Sequence, residues 1–127
     1  MKEIMAVIRM NKVAQTKKAL VDAGFSGLTA MRAMGRGKLL KDLSELDKLD
    51  AAHEEIREKV VETLLSGGRL VPKRLLLLTV DDEQVKKAVE TIISVNQEGN
   101  RGDGKIFVLP LADVIRIRTG ERGTDAV

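Results

Sequence analysis

The 127-residue sequence contains no cysteine, no tryptophan and no tyrosine, and only two phenylalanines, two prolines and one histidine. Without cysteine there are no disulfides and no thiolate metal sites, and His53 alone cannot form the imidazole cluster that a transition metal usually needs. With Phe25 and Phe107 as the only aromatics, the chain has no stacking platform for single-stranded nucleic acid, so nucleic acid is not an expected partner. Long apolar runs are missing as well. The N-terminal MKEIMAVIRMNK has five uninterrupted apolar residues, Ile4 to Ile8, too few for a membrane span or a signal segment. A cytoplasmic protein that meets no membrane is the expectation.

At 43% hydrophobic and this length, residues 1–127 suit a single domain with one core. The net charge of +3 is unevenly spread. Residues 38 to 66 hold 5 Lys/Arg against 8 Asp/Glu, net −3, which leaves 17 against 11, net +6, on the remainder. A basic body without aromatics points to a small anionic ligand.

Along the chain, EIMAVIR (3 to 9) reads as a buried strand. Asn11 is then expected to cap a helix carrying Val13, Ala14, Leu20 and Val21 on one side and stopped by Gly24. GLTAMRAMG (27 to 35) and PKRLLLLTV (72 to 80) are further strands. Asp81 and Asp82 occupy an N-cap position for a second helix, with Val85, Ala88, Val89, Ile92 and Ile93 as its stripe, running to about Asn96. KIFVL (105 to 109) closes the pattern, and DVIRIR (113 to 118) reads as an extra strand with Ile115 and Ile117 facing the core. Two strand-helix-strand halves predict an α+β, ferredoxin-like βαββαβ sandwich. Residues 36 to 71 form a long insertion between the halves. From Ser44 onward its apolar residues, His53 among them, recur at spacings of three and four, as in a helix of roughly 22 residues. His53 reads as a packed histidine rather than a catalyst.

Chemistry concentrates near the C-terminus. In GNRGDGKI, Gly99 and Gly104-Lys105 match part of a P-loop, but Ile106 replaces the magnesium-binding hydroxyl and a strand follows in place of a helix. The stretch is not a Walker A motif. Its glycines still allow close backbone approach to a phosphate, with Lys105 adding charge; an ordinary helix stop and tight turn is the other reading. On a strand, Arg116 and Arg118 would share one face about 6.6 to 7 Å apart, suiting an oligophosphate, or else would simply guard an edge against aggregation. MGRGKLL (34 to 40) offers either a second phosphate cradle or the hinge of the insertion. Lys73 follows Pro72 at the chain's return to the sheet. No Ser/His/Asp set, metal cluster or carboxylate pair is found, so an enzyme is not expected. The competing classes are a phosphoryl-transfer enzyme, which lacks a base here, and a ligand-free scaffold.

GDGKIFV (102 to 108), VIRIRTGERG (114 to 123) and GLTAMRAMGRGK (27 to 38) together resemble the PII signal-transduction proteins, and apart from the insertion the similarity covers nearly the whole chain. The resemblance implies a trimer that binds ATP or ADP in clefts between subunits, with residues 36–71 as a lengthened T-loop. Carried over by match, Thr29, Gly35, Gly37, Lys38, Gly102, Gly104, Lys105, Arg116 and Arg118 hold the nucleotide. For 2-oxoglutarate the matching positions are Gly37, Leu39, Lys73 and Gly102, with magnesium bound alongside. Leu39 replaces the family's glutamine near that magnesium and implies an altered geometry, leaving backbone groups of residues 37 to 41 to hold the keto acid.

A chain without tyrosine cannot be uridylylated on its T-loop. Together with the long loop, this resembles the nitrogenase-associated branch, and within it the longer of two paralogues. That branch implies reversible inhibition through contact with the dinitrogenase component, relieved by 2-oxoglutarate with ATP, and assembly as a homotrimer or a hetero-oligomer with a PII paralogue. Another target in nitrogen metabolism is the alternative.

Overall fold

In the first strand, β1 (Lys2–Arg9), every second residue turns inward: Ile4, Ala6 and Ile8 are buried and their neighbours are not. This is the period-2 signature of a strand with one covered face. The computed structural model describes residues 1–37 and 70–127. The remaining strands are β2 (Thr29–Gly35), β3 (Val71–Val80) and β4 (Lys105–Pro110), and the helices are α1 (Val13–Asp22) and α2 (Val85–Asn96). The sheet order is β2-β3-β1-β4, with β1 antiparallel to both β3 and β4. This is the expected ferredoxin-like βαββαβ arrangement.

Register explains why one face is a core. Ile4 stands opposite Leu78, and Ala6 opposite Leu76 and Ile106, so the inward residues of three strands line up. Leu20 of α1 and Ala88 and Ile92 of α2 pack on that face with Phe25. Burying each large aliphatic side chain contributes about 1.5–3 kcal/mol. The opposite face carries Met5, Leu77 and Phe107 in one row, and Phe107 is about half exposed.

The helix termini differ from expectation. Asn11 does not cap α1: a 3-10 turn over Met10–Lys12 leads in, and the Val13 amide donates to the Met10 carbonyl. Likewise a 3-10 turn, Asp82–Gln84, precedes α2, and Asp82 takes the Met1 ammonium at 2.9 Å instead of capping. In both places a backbone bond meets the need that a side-chain cap was expected to meet. The end of α1 is as predicted. Gly24 sits at φ +98°, Phe25 N donates to Leu20 O at 2.8 Å, and Gly24 N donates to Val21 O at 2.9 Å, a Schellman closure.

The buried stripe of α1 also shifts. Val21 is exposed, and Thr16 with Leu20 holds the interior. Thr16 is buried because it has a polar partner. Asn96 Nδ2 donates to Thr16 Oγ1 at 3.0 Å, and Thr16 donates to the Lys12 carbonyl at 2.7 Å, tying α1 to the end of α2.

The segment 113 to 118 is not a strand. It makes one bridge, Ile115 with Arg122, and a turn closed by Arg116 N to Glu121 O at 2.9 Å and Gly120 N to Arg116 O at 2.7 Å. Asp113 Oδ1 accepts from Val114 N and Gly123 N, which folds the segment back before a ladder can extend. Ile115 is 49% exposed and Ile117 100%, so neither faces the core of this chain.

The chain divides into two units, Met1–Ala33 with Pro72–Val127, and Met34–Val71. The helix expected from Ser44 onward, His53, Lys38 and Leu39 all lie outside the described residues.

Candidate anion-binding site

The loop from Glu98 to Gly104 connects α2 to β4, and its shape requires glycine. Gly102 has φ +93° and Gly104 φ +116°, conformations that residues with a Cβ rarely adopt. At Gly104 a Cβ would collide with the Val7 carbonyl, so β1 passes directly beneath the loop. At Gly102 the Cβ position lies 3.4 Å from Arg9 Nη2 and 3.6 Å from Lys73 Nζ.

Those two cations are neighbours because Arg9 and Lys73 are register partners at the ends of β1 and β3. Lys73 Nζ donates to the Gly102 carbonyl at 3.1 Å. Arg9 donates to the Arg101 carbonyl at 3.0 Å, to Asp103 Oδ1 at 2.6 Å and to Glu98 at 3.3 Å. Glu98 also meets Lys12 Nζ at 3.0 Å. The other Asp103 oxygen accepts from the amides of Glu98, Gly99 and Asn100 at 2.8, 2.9 and 3.2 Å. The Glu98 amide, followed by Arg9 and the remaining two amides, holds the Asp103 carboxyl at about 2, below its ordinary 3.8. Asp103 therefore remains an anion across the physiological range.

The structure brings together Lys73, Gly102, Gly104 and Lys105, the last opening β4 opposite Val7. Arg116 and Arg118 form no hydrogen bond or ion pair with that loop, Arg116 meeting Glu121 instead. Lys105 pairs at Val7, while Pro110 pairs at Lys2 at the other end of β1. Five strand steps, about 17 Å, separate those ends, and the arginine turn follows the far one. The even spacing expected of Arg116 and Arg118 on one strand face is also absent. Arg118 lies within the turn, and Arg116 approaches Glu121 at 3.5 Å. Thr29 is exposed at the start of β2, Gly35 ends that strand and Gly37 follows it.

Sequence reasoning missed Arg9 and Asp103. The partners are 94 residues apart, and the only local hint was an aspartate between two glycines. No group of three or more His, Cys, Asp or Glu side chains gathers as a metal site among the described residues.

The model of the family described as Nitrogen regulatory protein P-II matches residues 1–121. The chain belongs to the PII family. Its relatives include the nitrogen fixation nifHD region glnB-like protein 2 of Methanococcus maripaludis, 44% identical over 127 residues and covering all of both chains. The nifHD1 region GlnB-like protein 2 of Methanosarcina barkeri is 44% identical over 97% of this chain and 96% of its own. The nitrogen regulatory protein P-II of Rhodospirillum rubrum is 38% identical, again over the full length of both. As a PII-family member, the chain falls among nitrogen-regulatory proteins, and the two archaeal relatives carry names from the nitrogen-fixation region.

Proposed function

We propose that this PII-type regulator binds ATP or ADP at the 98–105 loop and 2-oxoglutarate near Lys73, and uses their occupancy to control contact with the dinitrogenase component of nitrogenase. The observation that supports this most is the clamped loop. It gathers Gly102, Gly104, Lys105 and Lys73 in a fixed, cation-rich setting suited to phosphate and carboxylate oxygens.

That Arg116 pairs with Glu121, and that neither arginine bonds to the loop in its own chain, supports a site completed between copies. One chain supplies the loop and another the arginine turn, as in a trimer or a mixed assembly with a PII paralogue. Ile117, fully exposed between the two arginines, and half-exposed Phe107 give such an assembly apolar surface to bury. Thr29, Gly35, Gly37 and Lys38 would complete the nucleotide contacts. The described residues offer no carboxylate cage for a divalent cation, which suits magnesium carried in by the phosphates and keto acid. Bound magnesium would neutralise phosphate charge; the chain's own part is to fix the phosphates and the carboxylate with cations and amides. Gly37, Leu39 and Lys73 are the positions for 2-oxoglutarate, and they bracket the insertion, so a ligand there can bias its conformation as a hinge. No membrane and no nucleic acid enter this scheme, and the setting is cytoplasmic. Among the described residues no helix is long and apolar enough to cross a membrane.

The test is capture of purified nitrogenase components on the immobilised chain, with and without ATP plus 2-oxoglutarate. Dinitrogenase should be retained without the ligands and released with both. No capture under either condition removes the nitrogenase target and leaves another nitrogen-metabolism enzyme as the next reading.

A further inference from the structure

Cations at the ends of two neighbouring strands hold consecutive carbonyls of the glycine loop, Arg9 that of Arg101 and Lys73 that of Gly102. The described peptides are trans, and in a trans peptide the N–H points opposite to the C=O. The Gly102 amide therefore points away from Arg9. The Asp103 amide points away from Lys73 and meets the Asn100 carbonyl at 3.3 Å. A glycine has more freedom to turn its flanking peptides than any other residue, so the direction of the Gly102 amide is imposed by β1.

Asp103 narrows the site further. Its carboxylate already takes the amides of Glu98, Gly99 and Asn100, so an internal anion fills the first half of the loop. An incoming phosphate is left with the second half, from residue 102 to Lys105. Arg9 balances this arrangement. Without it the carboxylates of Asp103 and Glu98 would both lose the guanidinium that they share.

We propose that Arg9 is a positioning residue for the anion site: through Asp103 and the Arg101 carbonyl it aims the Gly102 amide at the ligand's phosphate without touching the ligand itself. This rests on reading the loop as a phosphate site. The role is distinct from that of Lys73, whose single bond to the Gly102 carbonyl can be exchanged for a ligand carboxylate.

The test is calorimetric titration of ATP into the full chain, comparing wild type with Arg9→Ala, Arg9→Lys, Asp103→Asn and the Arg9→Ala/Asp103→Asn pair, alongside amide hydrogen exchange. Arg9→Ala and Asp103→Asn should each weaken ATP about tenfold, and the pair should be no weaker than the worse single variant, because Arg9→Ala already removes the Asp103 contact along with the Arg101 one. Arg9→Lys should recover part of the loss. Exchange should quicken at Glu98, Gly99 and Asn100 and stay unchanged at Ile4 and Ala6 in the core strand, which separates positioning from general unfolding. Wild-type affinity in either single variant, losses that multiply in the pair, or core amides that loosen in step with affinity would each overturn the proposal. A wild-type chain that takes up no ATP overturns the nucleotide reading and this proposal with it; wild-type binding with indifferent variants overturns this proposal alone.

Discussion

The loop from Glu98 to Gly104 and the turn from Arg116 to Glu121 look alike as sequence, since each combines glycine with cationic residues, yet they are held in different ways. The first is fastened to β1 and β3 by Arg9 and Lys73 and closed internally by Asp103. The second is closed mainly on itself, leaving Ile117 entirely exposed. One segment is shaped by its own chain. The other is closed on itself, and in the proposed assembly it would find its partners on another copy.

Glycine substitution should give the largest contrast. Gly104→Ala faces both a forbidden φ and the Val7 carbonyl, and should cost roughly 3 kcal/mol or more. Gly120→Ala meets only the backbone penalty at φ +73°, with open space around it, and should cost about 1 kcal/mol. Urea unfolding of the two variants measures the difference, and equal losses would erase the contrast between the segments.

Next in size, Arg116→Ala together with Arg118→Ala should weaken ATP about a hundredfold, near 2.7 kcal/mol, while leaving the unfolding midpoint in place. Calorimetry and denaturation on the same samples check both halves, and unchanged ATP affinity would contradict the proposed site. Ile117→Asp should shift sedimentation toward the single chain, with intrinsic stability altered by under about 0.5 kcal/mol, because the side chain touches nothing in its own subunit. A trimer indifferent to that charge would place the interface elsewhere.

The smallest effect is a pH dependence confined to acid. The Asp103 pKa is depressed in the folded chain, so its contribution is complete above the ordinary carboxylate value. It is lost as pH falls from about 3.8 through about 2. Protection at Gly99 and Asn100, taken relative to the intrinsic exchange rate at each pH, should fall as pH drops through that window in the wild type and stay level in Asp103→Asn.

Much of the fold was legible in the sequence because strand and helix periodicities are local. The alternation in β1, the stripe of Ala88 and Ile92, and the stop at Gly24 each follow from a few adjacent residues. The same locality misled at 113 to 118. Alternating isoleucine and arginine reports two unlike surroundings without saying whether the apolar one lies in the same chain, and Asp113 ends the ladder after one bridge. Asn11 and Asp82 are residue types that favour capping, but 3-10 turns supply the needed backbone bonds first. At the candidate site, glycines and lysines stood out by type and spacing. The arginine that holds them did not, because register, a long-range property, decides what lies beside Arg9.

The pairing of Thr16 with Asn96 carries a consequence for variation far from any ligand. Lys12 offers its carbonyl to Thr16 and its ammonium to Glu98, so the opening turn of α1 is spliced both to the last residue of α2 and to the root of the glycine loop. That turn acts as a splint across the root of the glycine loop. If the loop is the proposed anion site, substitutions on the outer helical layer that leave the sheet intact should surface as altered ligand response, and a screen for sensing-defective variants should recover Thr16 and Lys12 as readily as Gly102 and Lys105.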